Sequence, residues 1–380
     1  CDFCEGWLRA RGIDVRRLAA DPAMPNLVAR VTGGRPGPRL VLNGHLDTFP
    51  AGDAASWRFP PFEGRLAEDR LAEGRLYGRG AADMKAGVAA LLLITALAAE
   101  GPDRIAGELV LTLASDEETM GEKGTAHLLA RAPETRGDAL LSPETSGEGV
   151  ACFGQKGFLW VRLTARGKGA HGAFVHRGRS AIDGLLDALR DLKSRLESLG
   201  PVMPPELEHY FESAREDPRG LLSAEDETVL RNVTVNVGRI RGGEKVNLVA
   251  EGCEAEADIR LPPGVSVERV RKTMKEVLSE HPDVQAEEIR AHDPTVSEPD
   301  SAIFHTLRQE AAFVAASEPI LALRIGATDA RLFRAAGIPA ATYGPTGHNV
   351  GGPDEHVEVD EFLRVARVLG RTAFSFLSGG

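Results

Sequence analysis

The sequence predicts an α/β protein of two domains, in which one α/β domain is interrupted by a smaller, inserted α+β domain. Three observations carry that expectation. Apolar, strand-like runs alternate with helical stretches between Arg39 and about Ser142; from Gly154 the runs alternate apolar and polar residues; after about Asp293 the first texture returns. At 380 residues the chain is also longer than one ordinary compact domain. Apolar residues at 42% and charged residues at 27% give the balance of a soluble globular protein with an ample core.

In the first part, residues 39–43, 108–114 and 138–141 read as strands whose unbroken apolar character suits a sheet covered on both faces. Residues 84–100 are apolar nearly all round and read as a buried helix, with a shorter helix over 124–131. Further on, 158–165 alternates, 180–196 has helical spacing, 233–238 and 253–261 read as strands, 265–280 as a helix and 284–289 as a short strand. This β-α-β-β-α-β order fits a ferredoxin-like inserted domain. Residues 201–230 carry eight acids, two arginines and four prolines, and read as a solvated excursion. Towards the C terminus, 301–316 and 361–377 read as helices and 338–343 as a strand. The expected boundaries are 1–154 plus 294–380 for the α/β domain and 155–293 for the insertion.

A formal net charge of −11 opposes phosphate attraction, so no nucleic-acid partner is expected. The longest apolar run, 86–99, is too short to cross a bilayer, and no Lys/Arg-headed apolar leader is visible, although the chain opens at Cys1 and not Met. No membrane partner is therefore expected. Four cysteines make no disulfide scaffold at this size. Cys1 and Cys4 form a Cys-x-x-Cys without the second pair or histidine of a zinc knuckle, and read as a pair on a helix face. A reducing, cytoplasmic setting is the resulting expectation.

The residues just beyond each α/β strand carry the chemistry. Residues 39–43 run into Gly44-His45-Leu46-Asp47, 108–114 into Ser115-Asp116-Glu117-Glu118, 138–141 into Ser142-Pro143-Glu144, and 338–343 into a loop holding His348. A fifth segment, 75–80, leads to Asp83 at the mouth of the buried helix. Ligands of open α/β sheets bind beyond the carboxyl ends of the strands. Carboxylates packed there resist ionising unless a cation lies among them, so a metal is implied. One imidazole with several carboxylates and no thiolate suits Zn²⁺, Co²⁺ or Mn²⁺. Asp47, two residues beyond His45, can hold the imidazole ring. Glu117 and Glu118 point apart in an extended chain, so one can ligate while the other serves as a base. Alone, such an acidic loop is an ordinary solvated turn; the convergence of five strand ends is what opposes that reading. Residues 78–83 open like a dinucleotide fingerprint, but Asp83 would set a carboxylate against the pyrophosphate, and nucleotide binding is not expected.

These residues resemble the metallopeptidase family that contains acetylornithine deacetylase, succinyl-diaminopimelate desuccinylase and the glutamate carboxypeptidases. The matching segments are LNGHLDTFP (42–50), RLYGRGAADMKAG (75–87), LTLASDEETMGEKGT (111–125), LLSPETSG (140–147), IRGGEKVNLV (240–249), ADIR (257–260) and GATDARLF (326–333), in family order over almost the whole chain. The resemblance implies a zinc-peptidase-like catalytic α/β domain with two divalent metal ions, usually zinc, and an inserted lid domain through which members often form homodimers. By motif it implies that His45 and Glu144 hold one metal, Asp83 bridges both and Glu118 holds the second. Glu117 would be the general base, and Asp47 would orient His45. His171, in the loop 169–173, would help polarise the substrate carbonyl, in dimeric members from the neighbouring subunit. Asn247 and Arg260 match positions near the substrate carboxylate. Alone, His171 would be a solvated loop histidine and Arg260 a surface ion pair.

The departure lies at the C-terminal end. The family usually places its last histidine ligand two or three residues before Pro-Asp-Glu, where this chain has Gly351 in YGPTGHNVGGPDEHV (343–357). His348, which comes after a strand end and has glycines for reach, is the expected ligand. His356, or no histidine at all, are the alternatives. The implied activity is metal-dependent hydrolysis of an amide bond in a small N-acyl amino acid or dipeptide-like substrate. The alternative is a catalytically degraded homologue that binds a ligand or protein without turnover.

Overall fold

The computed structural model describes residues 1–67, 74–200 and 203–378. It divides into two compact units: Cys1–Phe153 with Val296–Ala322 and Ala327–Gly380, and Gly154–Thr295 with Leu323–Gly326. In chain order the first unit opens with α1 (Asp2–Arg9), β1 (Val15–Leu18), β2 (Asn26–Thr32), β3 (Arg35–His45), β4 (Arg65–Ala67), β5 (Arg75–Tyr77), α2 (Ala86–Glu100), β6 (Ala106–Ala114), α3 (Thr125–Arg131), β7 (Ala139–Ser142) and β8 (Val150–Gln155). Next come β9 (Gly157–Arg166), α4 (Ala181–Glu197), α5 (Glu208–Glu216), α6 (Ala224–Arg231), β10 (Thr234–Gly242), β11 (Gly252–Leu261), α7 (Val267–Leu278), β12 (Val284–His292) and β13 (Thr295–Val296). The chain closes with α8 (Ala302–Ala315), β14 (Ile320–Arg324), α9 (Ala330–Ala335), β15 (Ala340–Thr342), β16 (His356–Glu358) and α10 (Val359–Ser378).

The main sheet of the first unit runs β1-β2-β6-β3-β7-β15-β8. Its centre is parallel: β3 pairs in parallel with β6 and β7, and β15 with β7. The registers bring His45 opposite Ala114 and Thr342 opposite Ser142, so the strand ends named in the sequence finish along one edge. Residues 40–42, 109–111 and 139–141 are apolar and buried because both faces are covered. Val41, Val110, Leu140 and Ala340 pack with Leu128, Leu129 and Phe333 from α3 and α9. Alternation turns Leu40, Leu42 and Gly44 the other way, and a Cβ on Gly44 would meet Leu91 and Val88 of α2 at 3.3 Å.

The expectation for residues 75–80 needs correction. β5 is not a strand of this sheet but the middle of a separate antiparallel one, β16-β5-β4. The buried helix also starts later than expected: Asp83 and Met84 have non-helical φ/ψ and α2 begins at Ala86, and although residues 81–100 are long and apolar enough by composition to cross a membrane, most of the apolar window is buried within the protein, as befits a core helix. Cys4 is buried on α1, and the Cys1 thiol donates to the Pro25 carbonyl at 3.2 Å.

The second unit carries the antiparallel sheet β10-β11-β9-β12, with α4 and α7 against its buried face. Along β11 the odd positions from Cys253 to Leu261 are all buried, the period of a sheet with one dry face. Both helices start on a serine cap, Ser180 accepting from the Asp183 amide and Ser266 from the Arg269 amide. Of the supposed excursion, residues 203–230, α5 and α6 are helical and bury Phe211, Ala214 and Leu230. Their density of acids masks a narrow apolar stripe. Lys156 closes this region by donating to the carbonyls of Val229 and Asn232 at 2.5 and 2.7 Å, and burial lowers its pKa to about 8.

The turn before α2 is tied down from far along the chain. Gly80 takes φ 78°, and a Cβ there would lie 2.5 Å from the Thr48 methyl, so the position requires glycine. Arg79 and Glu355 form an ion pair with side chains 2% and 1% exposed. The other Glu355 oxygen accepts from the amides of Ala82 and Asp83 at 3.0 and 3.1 Å. Removing one partner of a buried pair leaves the other charge uncompensated. Glu355→Ala is expected to lower the unfolding free energy by about 3–5 kcal/mol, measured by urea unfolding; an unchanged midpoint would show that the pair does not hold the turn.

Candidate metal centre

Four chain segments of the first unit meet at His45, whose side chain is 1% exposed at the end of β3. One ring nitrogen, Nδ1, lies 2.9 Å from the Asp47 carbonyl oxygen, which fixes it as the N–H donor. The other, Nε2, lies 2.9 Å from Asp83 Oδ1 and 3.5 Å from Glu144 Oε1. Ligand atoms of His45, Asp83 and Glu144 all fall within 4.8 Å of one another, and so do those of His45, Glu117 and Glu118.

Asp47 differs from its expected role in one respect. Its carboxylate is 3.6 Å from the ring, too far for a hydrogen bond, and its main-chain carbonyl orients His45 instead. The carboxylate accepts from the amides of Glu117 and Glu118 at 3.2 and 3.0 Å. That pair of bonds shapes the tight turn Glu117–Thr119. Because the residues sit in a turn and not in an extended chain, both carboxylates reach the His45 ring, contrary to the alternation argument.

The electrostatics are those of acids crowded out of water. Burial, then the Glu144 charge, pushes Glu117 well above the usual carboxylate range. Burial, then Asp83, raises Glu118 from 4.5 to about 8. For His45, burial works against the charge, but the surrounding carboxylates of Asp47, Asp83, Glu144 and Glu117 outweigh it and raise its pKa. Oε1 of Glu117 and of Glu118 is buried with no hydrogen-bond partner among the described residues. One imidazole and several carboxylates, with orphaned acceptor oxygens aimed inward, is a donor set that fits divalent transition cations.

Asp329 and Arg331, both within the segment 326–333 and without an expected individual role, support this cluster. Thr125 donates to Asp329 at 2.6 Å, and Arg331 is buried with Nη2 on the Met120 carbonyl at 2.6 Å, bracing the turn of Glu117. The signal was present: Thr-Asp-Ala-Arg sets two charges inside an otherwise apolar stretch.

The last expected ligand lies elsewhere. His348 is stacked on His356, ring centroids 4.7 Å apart and planes at 9°, and groups with His356 and Glu358 instead of with His45. His171, Asn247 and Arg260 belong to the second unit. There the exposed His171 accepts from the Ala173 amide at 3.1 Å, and the Gly172 amide donates to the Asn247 carbonyl at 2.7 Å. Arg260 pairs with Asp258 on its own strand at 2.9 Å.

A family described as peptidase family M20/M25/M40 matches residues 41–375. The chain belongs to this family. The M20 assignment agrees with the resemblance read from the motifs and makes the protein a metallohydrolase of amide bonds. A succinyl-diaminopimelate desuccinylase from Methylorubrum populi is 29% identical over 373 residues, covering 95% of this chain and 87% of the relative. An M20 family metallo-carboxypeptidase from Sulfolobus solfataricus superposes with a TM-score of 0.82 at 18% identity, covering 99% of this chain and 93% of the other. A dinuclear metal binding peptidase of the M20 family from Bacillus subtilis gives a TM-score of 0.65 at 13% identity, covering 99% and 91%. At these identities the two structures establish the shared fold.

The raised Glu118 pKa has a stability consequence with a definite sign. In metal-stripped protein the folded state keeps this proton up to about pH 8, whereas the unfolded chain releases it near 4.5. Stability from this group is present below the lower value and is lost as pH rises towards the higher. Between those values the melting temperature of the stripped wild type should fall more steeply than that of Glu118→Gln, measured by circular dichroism; parallel curves would contradict the raised pKa.

Proposed function

We propose that this protein hydrolyses the amide bond of small N-acyl amino acids or dipeptide-like substrates, using two divalent cations, zinc by preference, held by His45, Asp83, Glu118 and Glu144. The observation that carries the proposal is the buried group of His45 with Asp83, Glu144, Glu117 and Glu118 in an M20 chain. The named activity of the Methylorubrum relative and the dinuclear description of the Bacillus peptidase support it. The comparisons give no support to a non-catalytic homologue.

In this reading His45 and Glu144 would hold one cation, Glu118 would hold the other, and Asp83 would contribute to both. Bound there, the cations would lower the pKa of a water and polarise the scissile carbonyl. Glu117 is the base: its burial keeps its proton affinity high, which suits a group that takes a proton from water and returns it to the leaving amine. Asp47 positions both partners, His45 through its carbonyl and Glu117 through its carboxylate. His171 donates to the developing oxyanion, and Asn247 with Arg260 anchors the substrate carboxylate. The second unit serves as a lid and as the surface for a homodimer. All four cysteines are free thiols, which suits the reducing cytoplasm.

Chelation is expected to abolish hydrolysis of N-succinyl and N-acetyl amino acids, with zinc or cobalt restoring it. Full activity after verified removal of metal would end this reading. Glu117→Gln should retain metal and lose about 10²–10⁴-fold in turnover, while Glu118→Gln should lower metal content. Equal metal loss in both, by elemental analysis, would overturn the division of roles between these neighbours.

A further inference from the structure

His348, His356 and Glu358 form a group of their own, sharing no member with the two groups built on His45. The backbone places them together. His348 and His356 face each other as an antiparallel bridge closed by two hydrogen bonds, His348 amide to His356 carbonyl at 3.2 Å and the reverse at 3.1 Å. Glu358 is two residues beyond His356 on β16, and therefore on the same face. The His356 ring lies between its cross-strand neighbours, with the His348 and Tyr77 rings each 4.7 Å away.

We propose that His348, His356 and Glu358 form an accessory site for a divalent transition cation of the zinc type, separate from the centre at His45.

The orientation of His356 is that of a ligand. Its Nδ1 lies 2.8 Å from the Asp354 carbonyl oxygen, so that nitrogen carries the proton and Nε2 keeps its lone pair. Imidazole ligands characteristically spend their second nitrogen in this way. Two imidazoles and one carboxylate form a mixed nitrogen and oxygen set that favours zinc, cobalt or nickel over calcium or magnesium. Glu358 Oε1 pairs with Arg75 at 2.8 Å, but both side chains are about a third exposed, so the pair competes weakly for the carboxylate. Tetrahedral ligation at about 2.0–2.2 Å sets donor atoms roughly 3.4 Å apart. The present limit of 4.8 Å closes by rotation of the two partly exposed side chains, His348 and Glu358, around the fixed His356. A cation there would pin residues 344–352 to the strand that leads into α10.

The test measures zinc bound per chain by elemental analysis after equilibrium dialysis of the 380-residue chain, with folding monitored by circular dichroism. Wild type should hold one equivalent more than His348→Ala and than Glu358→Gln, and cobalt should give an absorption band that Glu358→Gln lacks. A His45→Ala/Asp83→Ala double variant should keep that equivalent and lose it when Glu358→Gln is added. Wild-type stoichiometry in both single variants overturns the accessory site. Loss of all zinc from the folded double variant overturns it too, and returns His348 to the centre at His45. Failure of the hydrolytic reading looks different: wild type would bind a single equivalent, and the double variant would still hold it.

Discussion

Repulsion between buried carboxylates is the constraint on which the first unit depends. Glu117, Glu118, Asp83 and Glu144 gather around one imidazole, with Asp116 and Asp329 just behind, and burial raises the pKa of Glu117, Glu118, Asp116 and Asp329. The structure manages this with two rings of acids used differently. The outer ring grips the backbone: Asp47 takes the amides of Glu117 and Glu118, Glu355 those of Ala82 and Asp83, and Asp116 that of Lys123. Amide dipoles thus steady the outer carboxylates, and the inner side chains are aimed through their own main chain. Among them, Oε1 of Glu117 and Oε1 of Glu118 are buried with no hydrogen-bond partner among the described residues.

Much of this was legible because strand ends and side-chain chemistry are local properties. Residues 39–43, 108–114 and 138–141 announce a doubly covered sheet, and the polar residues after each one fall along a single edge because the strands are parallel and in register. The ferredoxin-like order was equally plain from period and spacing. What escaped depends on distant partners. Nothing near Arg79 signals that Glu355, 276 residues away, neutralises it. β5 is three residues long and takes its neighbours from β4 and β16, so its run of residues cannot reveal which sheet it joins. The turn at Glu117 is shaped by Asp47 and Arg331, neither adjacent in sequence, which is why the two glutamates were expected to diverge. In α5 and α6 charged residues so outnumber the buried ones that composition hides the helices.

The loop that departs from the family pattern has a structural logic of its own. Where a histidine ligand would be expected the chain has Gly351 at φ 75°, a conformation that favours glycine. The Gly351 and Gly352 carbonyls receive Arg79 at 3.0 Å. This stretch is therefore committed to accepting hydrogen bonds from the guanidinium that Glu355 neutralises, and the imidazoles lie on either side of it in sequence.

The discontinuity of the first unit has a consequence for biosynthesis. All the acids and the imidazole of the inner ring lie before residue 145, whereas β15, Glu355 and α10 are made only after residues 154–295. A nascent chain that has reached residue 153 holds Arg79 without its counter-charge, β7 without its parallel neighbour β15, and α2 without α10. Its half-finished sheet presents an open edge, the kind of surface on which newly made chains associate wrongly. The second unit, nearly continuous in sequence, can collapse while the first still waits. The order of translation thus delivers the nearly continuous unit whole before the divided one can be completed, and Arg79 meets Glu355 only after both stretches have been made.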